Sequence, residues 1–288
     1  MIPLKLTIMA LLWAGGFIVA KVVSPLAGPF TITCLRFSCV TVIMAALIAM
    51  EGKQPPIRPI HWTYAVGTGF FGVLCYNYCF MAGIRLIDAG RGSVIISTVP
   101  IAVAIFSFIF LNEKIGRIKA LGLAVSVVGA WIVISRGQME AIAGPGIGLG
   151  EFYILICVVC AALFALLSKE LLKEFSPAMT MALVSGPGAV FALFPSISEL
   201  RRMPIPWDSW TFLAGVAYLS IGPSVIAVIF YYEAMKVIGA TKASQYMNLI
   251  PVFAVVLGMV FLGERLTPSL FLGGGLVTAG LYLAHSKV

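Results

Sequence analysis

Ile87-Asp-Ala-Gly-Arg-Gly-Ser-Val-Ile-Ile-Ser-Thr-Val-Pro100 and Ile238-Gly-Ala-Thr-Lys-Ala-Ser-Gln-Tyr-Met-Asn-Leu-Ile-Pro251 are two copies of one stretch. The match runs without a gap from residues 80–131 onto residues 231–282. It pairs Ile87 with Ile238, Ala89 with Ala240, Ser93 with Ser244, Pro100 with Pro251, Glu113 with Glu264, Gly122 with Gly273 and Gly129 with Gly280. The chain reads as an internal duplication. Each copy has five apolar spans, and an odd count obliges the second copy to enter a bilayer in the sense opposite to the first. Inverted repeats of this kind mark secondary transporters, in which two mirror-related halves close alternately over one central site.

Composition sets the class. Of 288 residues, 61% are hydrophobic and only 10% charged, and the mean hydropathy is +1.07, against roughly half apolar and a quarter charged in soluble domains. The chain reads as an all-α integral membrane protein. A crossing helix needs about 20 residues, so ten helices with short loops nearly exhaust the length and leave no room for a soluble domain. The net charge of +8 does not point to nucleic acid, because the Lys and Arg residues fall almost wholly between apolar spans, where they act as topological signals. The cysteines Cys34, Cys39, Cys75, Cys79, Cys157 and Cys160 lie within spans without His or carboxylate at ligand spacing, which suggests small apolar packing rather than a metal or disulfide framework.

The hydropathy profile predicts spans at residues 3–21, 31–50, 62–84, 90–111 and 118–135, then 151–168, 177–198, 208–232, 241–262 and 267–284. The first repeat is assigned to residues 1–138, a Gly-rich linker to 139–150 and the second repeat to 151–288. The first span leads through Trp13 and Phe17 into Lys21 with no small-residue cleavage site, so it is expected to be an uncleaved helix. The loop cations favour both termini in the cytoplasm. The bias is sharpest where the repeats correspond: the turn after the fourth span carries Lys114, Arg117 and Lys119, whereas its copy carries only Arg265. Glu113 and Glu264 sit in those turns, where each carboxylate is expected to meet the positive N-terminal end of the helix that follows. Thr267 and Pro268 read as an N-cap and a first-position proline.

Ten spans in two halves, Trp13-Ala-Gly-Gly-Phe17, Leu35-Arg36-Phe37, the stretch Ala89 to Pro100 and the Leu-x-Glu-Lys/Arg turn together resemble the EamA family of the drug/metabolite transporter superfamily. The resemblance covers essentially the whole chain. It implies a ten-helix carrier built around a central cavity in a bacterial inner membrane, exporting amino acids, metabolites or drugs. YddG-type exporters of aromatic amino acids are similar to it in general character.

Residue chemistry gives an independent reading of the site. Ser93 and Ser97 are spaced i, i+4 on one face of the fourth span, and Ser244 and Asn248 hold the equivalent positions in the ninth, with Gln245 beside them. This polar stripe is the leading candidate for substrate binding, and hydroxyl packing between helices is the alternative. Trp13, Phe17, Tyr78 and Tyr231 supply aromatic surface for a planar substrate. Trp62, Trp131, Trp207 and Trp210 lie near span ends and read as an interfacial belt. Arg36 lies inside the second span, within snorkelling reach of the interface. Pro100 and Pro251 withdraw backbone donors and should interrupt their helices about one turn after Ser97 and Asn248.

No P-loop is present, and no carboxylate lies near the centre of a span. The expectation is downhill export of small metabolites, with aromatic or apolar amino acids the leading class, by alternating access. The expected partners are the lipid bilayer and a small-molecule substrate, with no cofactor and no nucleic acid. A monomer is expected to suffice, with a dimer left open. A drug or sugar-phosphate carrier, an integral membrane enzyme and a channel are the competing readings. Phosphate recognition would need two converging cations, and no nucleophile–base pair or paired carboxylates support an enzyme.

Overall fold

The computed structural model describes residues 2–52, 54–111, 116–136, 148–238, 243 and 246–285. Glu113, Ser244 and Gln245 lie outside them. The first half comprises α1 (Ile2–Val23), α2 (Pro29–Glu51), α3 (Pro59–Thr68), a π-helical segment (Gly69–Cys75), α4 (Tyr76–Ile84), α5 (Ala89–Ile96), α6 (Val99–Leu111) and α7 (Arg117–Ile134). The second comprises α8 (Leu149–Leu172), α9 (Pro177–Arg202), α10 (Trp210–Ile221), a π segment (Gly222–Ile226), α11 (Ala227–Ile238), a 3-10 turn (Tyr246–Asn248), α12 (Leu249–Leu262) and α13 (Pro268–His285). No strand occurs among the described residues.

Eight helical spans are long and apolar enough to cross a membrane, and Tyr246–Leu262 and Pro268–Ala284 are shorter apolar helices. Their outward side chains suit lipid: Val42, Val260 and Phe261 are each 70% exposed. Trp62, Trp131, Trp207 and Trp210 are all exposed as well. Local chemistry sets the helix ends. Pro29, Pro59, Pro177 and Pro268 occupy first positions, where the missing N–H costs nothing. Ser176, Ser209 and Thr267 accept from the backbone N–H groups of Met179, Phe212 and Leu270. Gly263 ends α12 in the left-handed region at φ 66°.

Two spans are less regular than hydropathy implies. The fourth, expected to be continuous over 90–111, is interrupted at Ser97 and Thr98, and the 3-10 turn ending at Asn248 interrupts the equivalent point of the ninth. Pro100 and Pro251 account for both breaks. The third and eighth spans each contain a π segment, and by the repeat offset these two segments overlap. A π turn widens the helix and leaves carbonyls without their usual partners.

α2 packs against α9 and α7 against α13. Each pair runs antiparallel, as the contacts at both ends require. The Glu199 carboxylate at the end of α9 accepts from Phe30 N at 3.2 Å and Thr31 N at 2.8 Å at the start of α2. Reciprocally, Ser176 at the start of α9 donates to Glu51 at the end of α2. Gly122 lies against Gly280 and Gly129 against Gly273 so closely that an added Cβ would stand 2.4–2.6 Å from facing backbone atoms. Ser126 Oγ donates to the Val277 carbonyl at 3.2 Å in the same seam.

Glu264 corrects a sequence expectation. Its carboxylate does not turn to the helix that follows it. It accepts from Ala89 N at 2.6 Å and Gly90 N at 3.0 Å, the start of α5 in the other half. The N-terminal partial charge is as favourable there, and tertiary packing brings that end nearer.

Candidate functional site

One guanidinium joins the third and eighth spans at their irregular points. Arg36, the eighth residue of α2, donates from Nε to the Leu219 carbonyl at 3.0 Å and from Nη2 to Ser224 Oγ at 2.8 Å. Its Nη1 donates to Asn77 Oδ1 at 2.9 Å. Ser224 in turn donates to Leu219 O at 3.0 Å, and the Asn77 amide donates to Val73 O at 2.9 Å. Both side chains therefore serve carbonyls at the π turns while presenting an oxygen to Arg36. This placement replaces the expectation of snorkelling: the side chain reaches inward because two irregular helices offer it acceptors that lipid cannot.

The inventory around this cation is lopsided. A guanidinium has five N–H bonds, and the protein acceptors occupy Nε–H and one bond on each terminal nitrogen. One N–H on each terminal nitrogen is left without an acceptor among the described residues. No carboxylate of those residues lies within 4.0 Å of Arg36, which is absent from every ion pair they form. A half-buried charge held by neutral oxygens alone is costly in a bilayer interior and is usually functional. Two free N–H groups on adjacent nitrogens suit two parallel bonds to a carboxylate.

Helix α1 also packs on the eighth span's π segment. Trp13 Nε1 donates to Pro223 O at 2.9 Å, and its ring lies 5.7 Å from that of Tyr231. Gly15 makes room for Tyr218, whose hydroxyl donates to Leu12 O at 3.1 Å; a Cβ at Gly15 would stand 2.2 Å from that oxygen. The Trp-Ala-Gly-Gly stretch is thus a seat for a broken helix as well as a source of aromatic surface.

The other candidates fall in different places. Phe17 is 5% exposed and packs edge-on against Phe80 at 5.2 Å. Ser93 and Ser97 donate to carbonyls of their own turn, Gly90 O and Val94 O, each at 2.7 Å. Ser93 is buried, Ser97 stands at the break, and Asn248 is half-buried at the equivalent break. Tyr78 stacks on Phe30 at 4.5 Å, away from Trp13, and lines a crevice of about 400 Å³ with Arg85, Tyr153 and Glu199. A second crevice of about 610 Å³ is lined by Asp88, Arg91, Arg136, Thr267 and Ser269. There Arg91 is buried against Glu151 at 2.8 Å, although a loop cation was expected at that position.

Arg36 stands out in the sequence, whereas Asn77 and Ser224 carry no role there. The available signal was compositional: an Asn and a Gly-Pro-Ser triplet inside otherwise apolar spans.

The EamA-like transporter family matches residues 3–135 and again residues 148–285. The chain belongs to the EamA-like transporter family. A protein of Archaeoglobus fulgidus described as an uncharacterized transporter is 28% identical to this EamA-like chain, over 96% of this chain and 95% of that protein. The uncharacterized transporter YyaM of Bacillus subtilis is 26% identical, over 94% and 89%. A chloroplastic WAT1-related protein of Arabidopsis thaliana is 25% identical, over 95% of this chain and 66% of that one. One solved crystal structure shares the fold with a TM-score of 0.67 at 18% identity, covering 98% of this chain and 96% of its own. The protein is a multi-pass membrane transporter.

Proposed function

We propose that this EamA-like chain is a secondary carrier that exports small carboxylate-bearing metabolites, with amino acids bearing aromatic or apolar side chains the leading class. The observation that carries this reading is Arg36, a cation with two unengaged N–H groups and no counter-ion among the described residues, held by residues at or beside the two π segments. A carboxylate that binds there supplies the missing charge. Trp13, bonded to Pro223 beside Ser224, and Tyr231 add apolar surface for the remainder of the substrate. A second converging cation is lacking in this network, which disfavours a phosphate ester.

The carrier is read as ten transmembrane helices in two inverted five-helix repeats, residues 1–138 and 151–288, joined by the 139–150 linker. Support comes from reciprocity. The Glu199-to-α2 and Ser176-to-Glu51 contacts exchange the two halves, and so do the Gly122–Gly280 and Gly129–Gly273 contacts. The double family match points the same way. Alternating access then consists of the halves rocking about these seams, with the π turns and the Ser97 and Asn248 breaks as sites of bending. Placement in a bacterial inner membrane with both termini cytoplasmic follows the family resemblance and the loop cations.

The test is transport in proteoliposomes loaded with radiolabelled L-phenylalanine. Wild type should release it downhill, with acceleration by external L-phenylalanine, and Arg36→Gln should lose at least 10-fold in rate. Equal rates for the two proteins would overturn the assignment of Arg36. Uphill transport driven by an imposed proton gradient would overturn the uncoupled mechanism.

A further inference from the structure

The crevice beside Tyr78 also sets an arginine beside aromatic rings. Phe30 and Tyr78 stack at 4.5 Å with 17° between their planes, and Tyr153 stands edge-on to Tyr78 at 6.2 Å. Arg85 and Glu199 complete the lining. At first sight these two charges cancel. Glu199, however, is already committed: it accepts from Phe30 N, Thr31 N and Thr31 Oγ1 at the start of α2, where the helix dipole offsets its charge. Arg85 has only one long contact, from Nη2 to Ala27 O at 3.5 Å, and forms no ion pair among the described residues. The crevice therefore presents an unbalanced cation beside a stacked aromatic wall. Its volume of about 400 Å³ is within the range of small-ligand sites.

We infer that this crevice is a second binding site for aryl carboxylates, separate from Arg36, in which Arg85 takes the carboxylate and Phe30, Tyr78 and Tyr153 take the ring. Its role as a way-station in transport rests on the reading of Arg36 proposed above. Phe30 lies six residues before Arg36 on α2, about 9 Å along the helix at 1.5 Å per residue. The crevice thus lies nearer the α1–α2 turn than the central cation does. With cytoplasmic termini that turn faces outward, and the crevice would receive substrate released from Arg36. Ring stacking and a charge-assisted bond act together, so a ligand lacking either the ring or the charge should bind poorly.

The experiment is calorimetric titration of the full chain in lipid nanodiscs with phenylacetate, cyclohexylacetate and benzyl alcohol. Wild type should bind two phenylacetates. Arg85→Gln should abolish one of them or weaken it at least 10-fold, and Arg85→Lys should restore part of the loss. Cyclohexylacetate should bind at one site only, and benzyl alcohol at neither. Arg36→Gln should retain a phenylacetate site that the double variant with Arg85→Gln lacks. Two sites unchanged by Arg85→Gln, or a single site abolished by Arg36→Gln, would overturn the inference, as would an absence of phenylacetate binding to wild type. Two sites that both survive Arg36→Gln would instead count against the central site alone. Because Arg85 is exposed, its variants keep the test decisive even where Arg36→Gln fails to fold.

Discussion

Arg36 Nη1 donates to Asn77 Oδ1 at 2.9 Å, and the same Asn77 amide donates to Val73 O in the π segment of the third span. One side chain thus fixes the guanidinium and caps an irregular helix. Asn77 is 2% exposed, so its amide has few alternative partners, and its substitution has a direction that can be worked out.

Asn77→Asp puts a carboxylate against Arg36. The ion pair would supply the missing counter-charge and offset the lost donation to Val73 O, so transport of a carboxylate substrate should fall at least 10-fold while the folded protein is retained. Asn77→Ala removes one of the donors to Val73 O and leaves one Arg36 N–H unserved, at about 1–3 kcal/mol for a buried polar group, so it should lower thermal stability as well. Thermal unfolding in detergent alongside liposome transport separates the two. Normal transport by Asn77→Asp would argue against carboxylate recognition at Arg36.

Glu264→Gln should weaken the seating of α5 on the other half. The variant keeps an oxygen acceptor and loses the charge that faces Ala89 N and Gly90 N. A loss of about 0.3–1 kcal/mol is expected from the helix-terminus interaction, visible as a lower unfolding temperature. An equal shift in the Glu264→Ala variant would show that the charge supplies all of the effect.

Gly129→Val should be far more damaging. Its Cβ would stand 2.6 Å from Gly273 O and from Val277 N, backbone atoms that cannot turn aside. Overpacking of this kind costs about 1–3 kcal/mol or more, so the yield of monodisperse protein should collapse. Gly275→Ala in α13, with nothing within 4 Å of its added Cβ, is the control and should be recovered at wild-type levels.

Ser97→Ala and Asn248→Ala occupy equivalent positions and should behave differently. Ser97 Oγ already donates to Val94 O in its own turn, so its removal should change transport less than 3-fold. Asn248 caps α12 without a side-chain hydrogen bond to it, and its amide has no partner among the described residues, so it is available for substrate or for movement at the break and its loss should slow transport several-fold. Initial rates at matched protein density decide the matter; equal, small effects would reduce both residues to packing.

Topology can be read from labelling. A cysteine at Lys119 should be shielded from an impermeant thiol reagent in intact cells, and one at Arg265 should react. Equal reaction at the two positions would sink the inverted-repeat arrangement.

Hydropathy was enough to recognise a polytopic helical membrane protein, because the bilayer imposes a length and an apolar composition that any single span must satisfy, while the family showed through a resemblance carried by motifs such as Trp13-Ala-Gly-Gly-Phe17. The prolines likewise announced the breaks near Ser97 and Asn248, since a missing N–H is a local property. Three-dimensional proximity was not legible in that way. Nothing in the order of residues says that Arg36 turns inward to Asn77 and Ser224, that Glu264 serves Ala89 rather than the adjacent helix, or that Tyr78 parts from Trp13 to stack on Phe30. A span's hydropathy is indifferent to rotation about its axis, and a π turn changes that rotation without changing composition. Only the packing of helices against one another decided which polar atoms face each other.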